Sequence, residues 1–117
     1  MTGELTTFNC EINIMIQQIN PNKAEELMSQ GQVVLADVRD HDSYINEHIA
    51  GAVHLTVGAL QTFCAELDKN KPILVYCYHG ISSQAVAQHL LDQGFRQVYS
   101  LAGGFEAWKA HHPTSNN

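Results

Sequence analysis

The amino-acid sequence predicts one α/β domain with a mainly parallel β-sheet, and three observations support this fold class. Two uninterrupted apolar runs, at residues 33–36 and 73–76, are typical of strands that are buried on both faces. Segments with helical spacing of apolar residues separate the predicted strands, and this alternation favours parallel strands joined by right-handed crossovers. The chain has 117 residues, 44% of them hydrophobic, which is enough for one core without a disulfide or a metal.

The first elements follow from local signals. Isoleucines that alternate with polar residues predict a first strand that ends near Ile19. Asn20 is expected to cap a helix whose first residue is Pro21, because a proline at that position lacks only an N–H that the helix leaves unpaired. This helix runs to about Gln30, and Gly31 ends it.

The later elements alternate in the same way. The predicted order is a strand at 33–36, a short helix between Asp40 and His48, a brief strand at 52–55, a helix at 60–67, a strand at 73–76, a helix that Gly94 ends, a strand at 98–101 and a last helix from Gly103 through Trp108. We expect one domain over residues 8–112, with flexible ends at residues 1–7 and 113–117.

Charge and cysteine content exclude several functional classes. A net charge of −6 argues against a partner that is a nucleic acid or an anionic membrane. The sequence contains no pattern of a secretory signal and no apolar run that would span a bilayer, so we expect a cytoplasmic protein. The three cysteines, Cys10, Cys64 and Cys77, are widely spaced, which excludes a disulfide framework and disfavours a structural zinc site. No metal, nucleotide or organic cofactor is implied.

Cys77 is the candidate nucleophile, because it directly follows a predicted buried strand at the edge of the sheet where ligands bind in α/β proteins. Gly80 gives the turn after it a flexible backbone position, and Ser82 and Ser83 are expected to cap the next helix. Backbone N–H groups of such a turn, together with the helix N-terminus, lower the pKa of a thiol and favour the reactive thiolate. For Cys10 and Cys64 we favour the alternative, a small buried core residue.

Asp37 and Arg39 follow the predicted strand at 33–36 and therefore reach the same edge of the sheet. Arg39 either raises the positive potential at the site or pairs with Asp37, Asp42 or Glu47 to hold the loops. We favour the structural role, since close arginine–carboxylate pairs commonly fix geometry.

Three further residues belong near the predicted site. Gly103 and Gly104 follow the strand at 98–101, and we expect a tight turn there with close backbone approach to the loop after Cys77. His79 is either a proton shuttle or anion partner, or an exposed loop residue without a role. We favour the second interpretation, because a thiolate, once formed, attacks without a general base.

Four sequence motifs resemble those of the rhodanese family, and they follow one another in the family's order. The motifs are LADVR at 35–39, HIAGAVHL at 48–55, VYCYHGISS at 75–83 and YSLAGGFEAW at 99–108. The resemblance spans about residues 10–110 and points to the small single-domain thiosulfate sulfurtransferases. It implies a five-stranded, mainly parallel sheet with helices on both faces and a six-residue loop from Cys77 to Ser82.

The resemblance also implies a double-displacement reaction. Cys77 would attack the outer sulfur of thiosulfate, release sulfite and keep a persulfide, which a thiophilic acceptor would discharge. Cyanide serves as that acceptor in vitro, and a thioredoxin-like dithiol protein is a further candidate. The substrate cradle would consist of Tyr78, His79, Gly80, Ile81, Ser82 and Ser83, with Asp37, Arg39, Gly103 and Gly104 in support.

The loop departs from many rhodaneses in carrying no arginine or lysine, so we expect weak thiosulfate binding. Three alternatives stay open. A sulfur-relay protein with a protein donor or acceptor would use the same chemistry. A rhodanese-like phosphatase or arsenate reductase is disfavoured, since position 83 is serine instead of arginine and the loop is one residue too short. A non-catalytic interaction module is disfavoured because Cys77 is present.

Overall fold

The computed structural model describes residues 16–116 and contains the predicted alternation of strands and helices. The strands are β1 (Gln17–Ile19), β2 (Val34–Asp37), β3 (Val53–His54), β4 (Ile73–Tyr76) and β5 (Val98–Leu101). The helices are α1 (Pro21–Ser29), α2 (His41–Asn46), α3 (Leu60–Glu66), α4 (Ser82–Asp92) and α5 (Gly104–Lys109), with a 3-10 turn at Val57–Ala59. The isoleucines predicted to begin the first strand, at positions 12 and 14, and Cys10 lie outside the described residues.

Local capping signals account for where the first helices begin. The Asn20 side chain accepts a hydrogen bond from the Lys23 backbone N–H at 2.8 Å and so caps α1, as predicted. Asp40 does the same for α2 through the Ser43 N–H at 3.0 Å. Each cap satisfies an N–H group that the helix itself leaves unpaired.

The five strands form one sheet in the order β1-β5-β4-β2-β3, and all of its pairings are parallel. This confirms the predicted α/β fold. Strand β4 lies at the centre, and its four residues are all buried. Cys77 directly follows β4 and therefore lies at the middle of the sheet edge.

Helices cover both faces of the sheet. Helices α1 and α5 pack on one face through Ala24, Phe105 and Trp108, and α3 and α4 pack on the other through Cys64 and Leu90. The predicted core role of Cys64 is therefore confirmed, with 5% of its surface exposed. The longest helix over residues 16–116, α4, has 11 residues, and none in this range is long and apolar enough to cross a bilayer.

The C-terminal segment contacts the domain although its polar composition predicts a flexible end. His48 and Ser115 form an antiparallel bridge with two backbone hydrogen bonds of 2.7 Å. Thr114 Oγ1 donates to Glu47 Oε2 at 2.6 Å, and the Trp108 indole N–H donates to the Pro113 carbonyl at 3.0 Å. These contacts tie residues 113–115 to the segment that follows α2 and to α5.

Candidate active site

The carboxyl ends of three strands converge where the sequence predicted a site. Asp37, at the end of β2, is in register with Tyr76, at the end of β4. Cys77 follows Tyr76, and Gly103 and Gly104 follow β5 on the other side of β4. The sheet edge therefore brings the loop after Cys77 between the other two groups.

The Cys77 sulfur accepts hydrogen bonds from the loop that follows it. The backbone N–H of Gly80 lies 3.2 Å from Sγ and that of Ser83 lies 3.3 Å from it. The Ser83 hydroxyl oxygen is also 3.3 Å from Sγ. The cysteine is only 3% exposed, so the sulfur lies at the base of the loop and these donors replace water around it.

Two opposing effects set the pKa of the Cys77 thiol. Burial raises it, because a thiolate loses hydration, while hydrogen bonds from the hydroxyls of Ser83 and Ser82 and from the backbone N–H groups of Ser83 and Gly80 lower it. The hydrogen bonds prevail and bring the pKa down from 9.0 to about 7. The N-terminus of α4, at Ser82, adds partial positive charge beside the sulfur. About half of the thiol is therefore ionised at neutral pH.

The prediction that Ser82 or Ser83 caps α4 is wrong. The residue at the N-cap position is Ile81, and no side-chain hydrogen bond caps this helix. Instead the Cys77 sulfur accepts the N–H of Ser83, the second helical residue, as a capping side chain would. The sulfur thus acts as the cap of α4. The Ser83 hydroxyl lies between Sγ, 3.3 Å away, and Ser100 Oγ, 2.8 Å away.

Among the side chains of the loop, Tyr78 is anchored by hydrogen bonds, while His79 and Ile81 are exposed at the surface. Tyr78 donates from its hydroxyl to Asp40 Oδ1 at 2.7 Å and also contacts the Ser43 hydroxyl, so it ties the loop to the start of α2. Hydrogen bonds from Tyr78 and Ser43 lower the pKa of Asp40 to about 2. His79 is exposed, and Ile81 is 76% exposed.

Arg39 and Asp37 form a buried ion pair, one of the pairings that the sequence suggested. Arg39 Nη2 lies 2.7 Å from Asp37 Oδ2, and Nε lies 3.1 Å from both carboxylate oxygens. The same Nη2 donates to the backbone carbonyl of Glu47 at 2.5 Å, and the guanidinium lies 4.0 Å above the Phe105 ring. The charge of Arg39 is thus matched by Asp37 and joins β2 to α2 and α5.

Helix α5 holds the backbone of the loop through two hydrogen bonds that were not predicted individually, although the close approach of this turn was. The N–H groups of Phe105 and Glu106 donate to the carbonyls of Cys77 and Tyr78 at 2.8 and 3.1 Å. The predicted close approach is present at Gly104, where a Cβ atom would lie 2.5 Å from the Tyr78 carbonyl carbon. The two adjacent glycines gave this prediction, because they remove side chains from the start of the helix.

Gly80 packs against the turn before α5. Its φ of +86° is in the left-handed region, and a Cβ atom there would lie 2.8 Å from the backbone nitrogen of Gly103. Both the conformation and the contact require glycine. The same turn places the Gly80 N–H on Sγ.

A groove of about 460 Å³ lies beside the first turn of α4. Its walls include Ser82 and Val86 from α4, Leu55 after β3 and Val57 from the 3-10 turn. Ser82 borders this groove and is one of the residues that lower the pKa of Cys77. The groove therefore reaches the rim of the loop that holds Cys77.

Comparisons with known proteins agree with this architecture. A family model described as a rhodanese-like domain matches residues 20–111. A protein of Coxiella burnetii named thiosulfate sulfurtransferase GlpE is 61% identical over 103 residues, which cover 88% of this chain and 96% of the relative. A protein of the same name from Ectopseudomonas mendocina is 47% identical over 98 residues, covering 84% and 89% of the two chains.

Solved structures share the fold. The Alr3790 protein from Anabaena superposes with a TM-score of 0.76 at 27% identity, covering 85% of this chain and 82% of that one. A protein of unknown function from Rhodopseudomonas palustris, described as a possible tyrosine phosphatase, superposes with a TM-score of 0.75 at 26% identity, covering 86% and 85%. Family match, close relatives and sheet topology agree, and the chain belongs to the family of rhodanese-like domain proteins.

Proposed function

We propose that this protein is a thiosulfate sulfurtransferase in which Cys77 carries the transferred sulfur as a persulfide. The observation that carries the proposal is the pair of backbone N–H groups, from Gly80 and Ser83, that donate to Sγ at 3.2 and 3.3 Å. They favour a thiolate in a site with little water, which is the state that sulfur transfer requires. The name shared by the relatives at 47–61% identity supports the same activity.

The reaction divides into two displacements. In the first, the Cys77 thiolate attacks the outer sulfur of thiosulfate, the bond between the two thiosulfate sulfurs breaks, and sulfite leaves with the electron pair. The outer sulfur of the resulting persulfide carries the negative charge. In the second, cyanide or the thiolate of an acceptor protein attacks that outer sulfur, and Sγ leaves as the thiolate again.

The loop stabilises charge with dipoles, not with a cation. Hydrogen-bond donors already in place cost no reorganisation when the charge moves, so they stabilise thiolate and transition state alike. Arg39 is committed to Asp37, and the residues from Tyr78 to Ser82 include no arginine or lysine. We therefore propose that thiosulfate binds weakly, with a high KM, and saturation at low micromolar thiosulfate would contradict this.

A role in sulfur relay uses the same chemistry with a protein thiol as acceptor. The groove beside Ser82 and the exposed side chain of Ile81 leave the rim of the loop accessible to such a partner. We place the activity in the cytoplasm, where reducing conditions keep thiols such as Cys64 and Cys77 free. Transfer to a thioredoxin-like dithiol that is faster than transfer to cyanide would favour the relay role.

Intact-protein mass spectrometry after thiosulfate treatment tests the proposal. We expect a gain of one sulfur atom on Cys77 that cyanide removes as thiocyanate. The variants C77S and C77A should fold but neither gain sulfur nor form thiocyanate. Cys64→Ser is the matched control, because it changes a buried cysteine of the core and should cost about 1–3 kcal/mol of stability without loss of the reaction. Thiocyanate formation by C77A, or turnover of a phosphotyrosine mimic instead of thiosulfate, would refute the assignment.

A further inference from the structure

Two serines lie between β5 and α4, in a layer that is otherwise packed with apolar side chains. Ser83 and Ser100 are both fully buried, and their hydroxyl oxygens lie 2.8 Å apart. Val98 precedes Ser100 by two residues on the same face of β5, and Ala87 follows Ser83 by one turn of α4. A hydroxyl in such a layer is costly unless it is hydrogen-bonded, so the contact between the two serines determines where their protons point.

The two hydroxyls continue the hydrogen-bond chain that begins at the nucleophile. Ser83 Oγ lies 3.3 Å from Cys77 Sγ and 2.8 Å from Ser100 Oγ, so it stands between the two. A serine hydroxyl has one proton to donate. If Ser83 donates to Ser100, it can only accept from the Cys77 thiol. If Ser100 donates to Ser83, the Ser83 proton is free for the thiolate.

We propose that Ser100 is a positioning residue for Cys77: its hydroxyl donates to Ser83 and thereby directs the Ser83 proton to Sγ whenever the sulfur is anionic. Ser100 does not touch the sulfur and acts through Ser83. This inference rests on the proposed role of Cys77 as the nucleophile and deepens it.

The hydrogen-bond chain from Ser100 through Ser83 to Sγ contributes to both displacements of the proposed reaction. Before sulfur transfer, Ser100 and Ser83 stabilise the attacking thiolate. In the persulfide the negative charge moves to the outer sulfur, and Sγ becomes a weak acceptor. When the acceptor removes the outer sulfur, Sγ leaves as a thiolate and the two hydroxyls again point toward it. Hydrogen bonds in such a chain polarise one another, so the bond from Ser83 to the thiolate is stronger while Ser100 donates to Ser83.

Other charged groups do not replace this contact. The titratable side chains on the elements around Cys77 are Asp37 at the end of β2 and Arg39 after it, Tyr76 on β4, Tyr99 on β5, His89 and Asp92 on α4, Glu106 and Lys109 on α5, and Tyr78 and His79 in the loop. Asp37 and Arg39 neutralise each other within 2.7 Å. Ser100 is a neutral group in the layer beneath the sulfur. Substituting it therefore changes the hydrogen bonding of Cys77 without changing any of these charges.

The test is the pH dependence of Cys77 alkylation by iodoacetamide, followed at the peptide level so that Cys10 and Cys64 do not interfere. Ser100→Ala should raise the alkylation midpoint by about 0.5–1 pH unit, which slows alkylation at pH 6 by about 3- to 10-fold. Val98→Ala is the matched control, since it shortens a buried side chain on the same strand without touching the chain of hydroxyls. It should lower stability and leave the midpoint unchanged.

A double-mutant cycle separates action through Ser83 from a general effect on packing. Ser83→Ala should raise the midpoint more than Ser100→Ala, and adding Ser100→Ala to Ser83→Ala should change it no further. Ser100→Thr, which keeps the hydroxyl, should restore the midpoint. An unchanged midpoint in Ser100→Ala, an equal shift in the Ser83→Ala background, or the same shift in Val98→Ala would overturn the proposal. Alkylation needs no thiosulfate, so these results are independent of whether the unaltered protein forms thiocyanate.

Discussion

Gly104→Ala tests whether the contact between α5 and the loop holds the nucleophile in place. Gly104 has a φ of +62°, and a Cβ atom there would lie 2.5 Å from both the carbon and the oxygen of the Tyr78 carbonyl. It would also lie 2.6 Å from the Cys77 carbonyl oxygen. These neighbours are backbone atoms, which cannot rotate away as the end of a side chain can.

The size of the effect follows from these distances. Ordinary contact begins at 3.4 Å, so α5 and the loop must separate by about 0.9 Å. That displacement lengthens the bonds from Phe105 and Glu106 to the carbonyls of Cys77 and Tyr78, now 2.8 and 3.1 Å. The left-handed conformation costs alanine about 1–2 kcal/mol and overpacking about 1–3 kcal/mol, so we expect a loss of about 2–5 kcal/mol. A misplacement near 1 Å should slow sulfur transfer by about 100-fold.

Urea denaturation measures the loss of stability. The rate of thiocyanate formation, measured under conditions in which the variant is folded, gives the loss of activity. Gly31→Ala is the matched control, because Gly31 also has a positive φ, +81°, but a Cβ atom there has no neighbour within 4 Å. It should lose only about 1–2 kcal/mol and keep its activity. If Gly104→Ala loses no more stability than Gly31→Ala and retains the activity, the contact does not hold the loop.

Two predictions concern ionisation. The rate of sulfur loading should rise from pH 6 to 8 with a midpoint near 7 and level off above it, because the pKa of Cys77 is lowered from 9.0 to about 7. The same shift stabilises the fold fully above about pH 9 and loses this contribution as the pH falls through 7; a midpoint near 9 would contradict both statements. Tyr78→Phe removes the main hydrogen bond that keeps the pKa of Asp40 at about 2. In this variant NMR titration should find the Asp40 pKa closer to 3.8. A pKa of Asp40 that stays near 2 in this variant would contradict the assignment.

Local signals made much of the fold predictable. The apolar run at 73–76 became β4, because four consecutive apolar residues suit a strand that is covered on both faces. Asn20 and Pro21 marked the start of α1 correctly, since an N-cap acts on N–H groups only two or three residues away. The position of Cys77 at the sheet edge followed from the same strand.

The site was less predictable where its contacts join distant parts of the chain. Ser82 and Ser83 have the composition of capping residues, but a sulfur from the end of β4 satisfies the helix instead. Ser100 lies in a mostly apolar strand, and only the packing of α4 on β5 brings it to Ser83. The antiparallel bridge at Ser115 likewise depends on a partner 67 residues away in the sequence, His48.

The geometry of the peptide bond explains why one helix can orient a loop for another. In a trans peptide the carbonyl of one residue and the N–H of the next point in opposite directions. The carbonyls of Cys77 and Tyr78 point to the N-terminus of α5, so the N–H groups of Tyr78 and His79 point away from it. The left-handed conformation of Gly80 then turns the chain and aims its own N–H at Sγ. Helix α5 thus binds the carbonyls of the loop, while the first turn of α4 is capped by the Cys77 sulfur. Held in this way, the loop presents N–H donors to an anion and needs no cation.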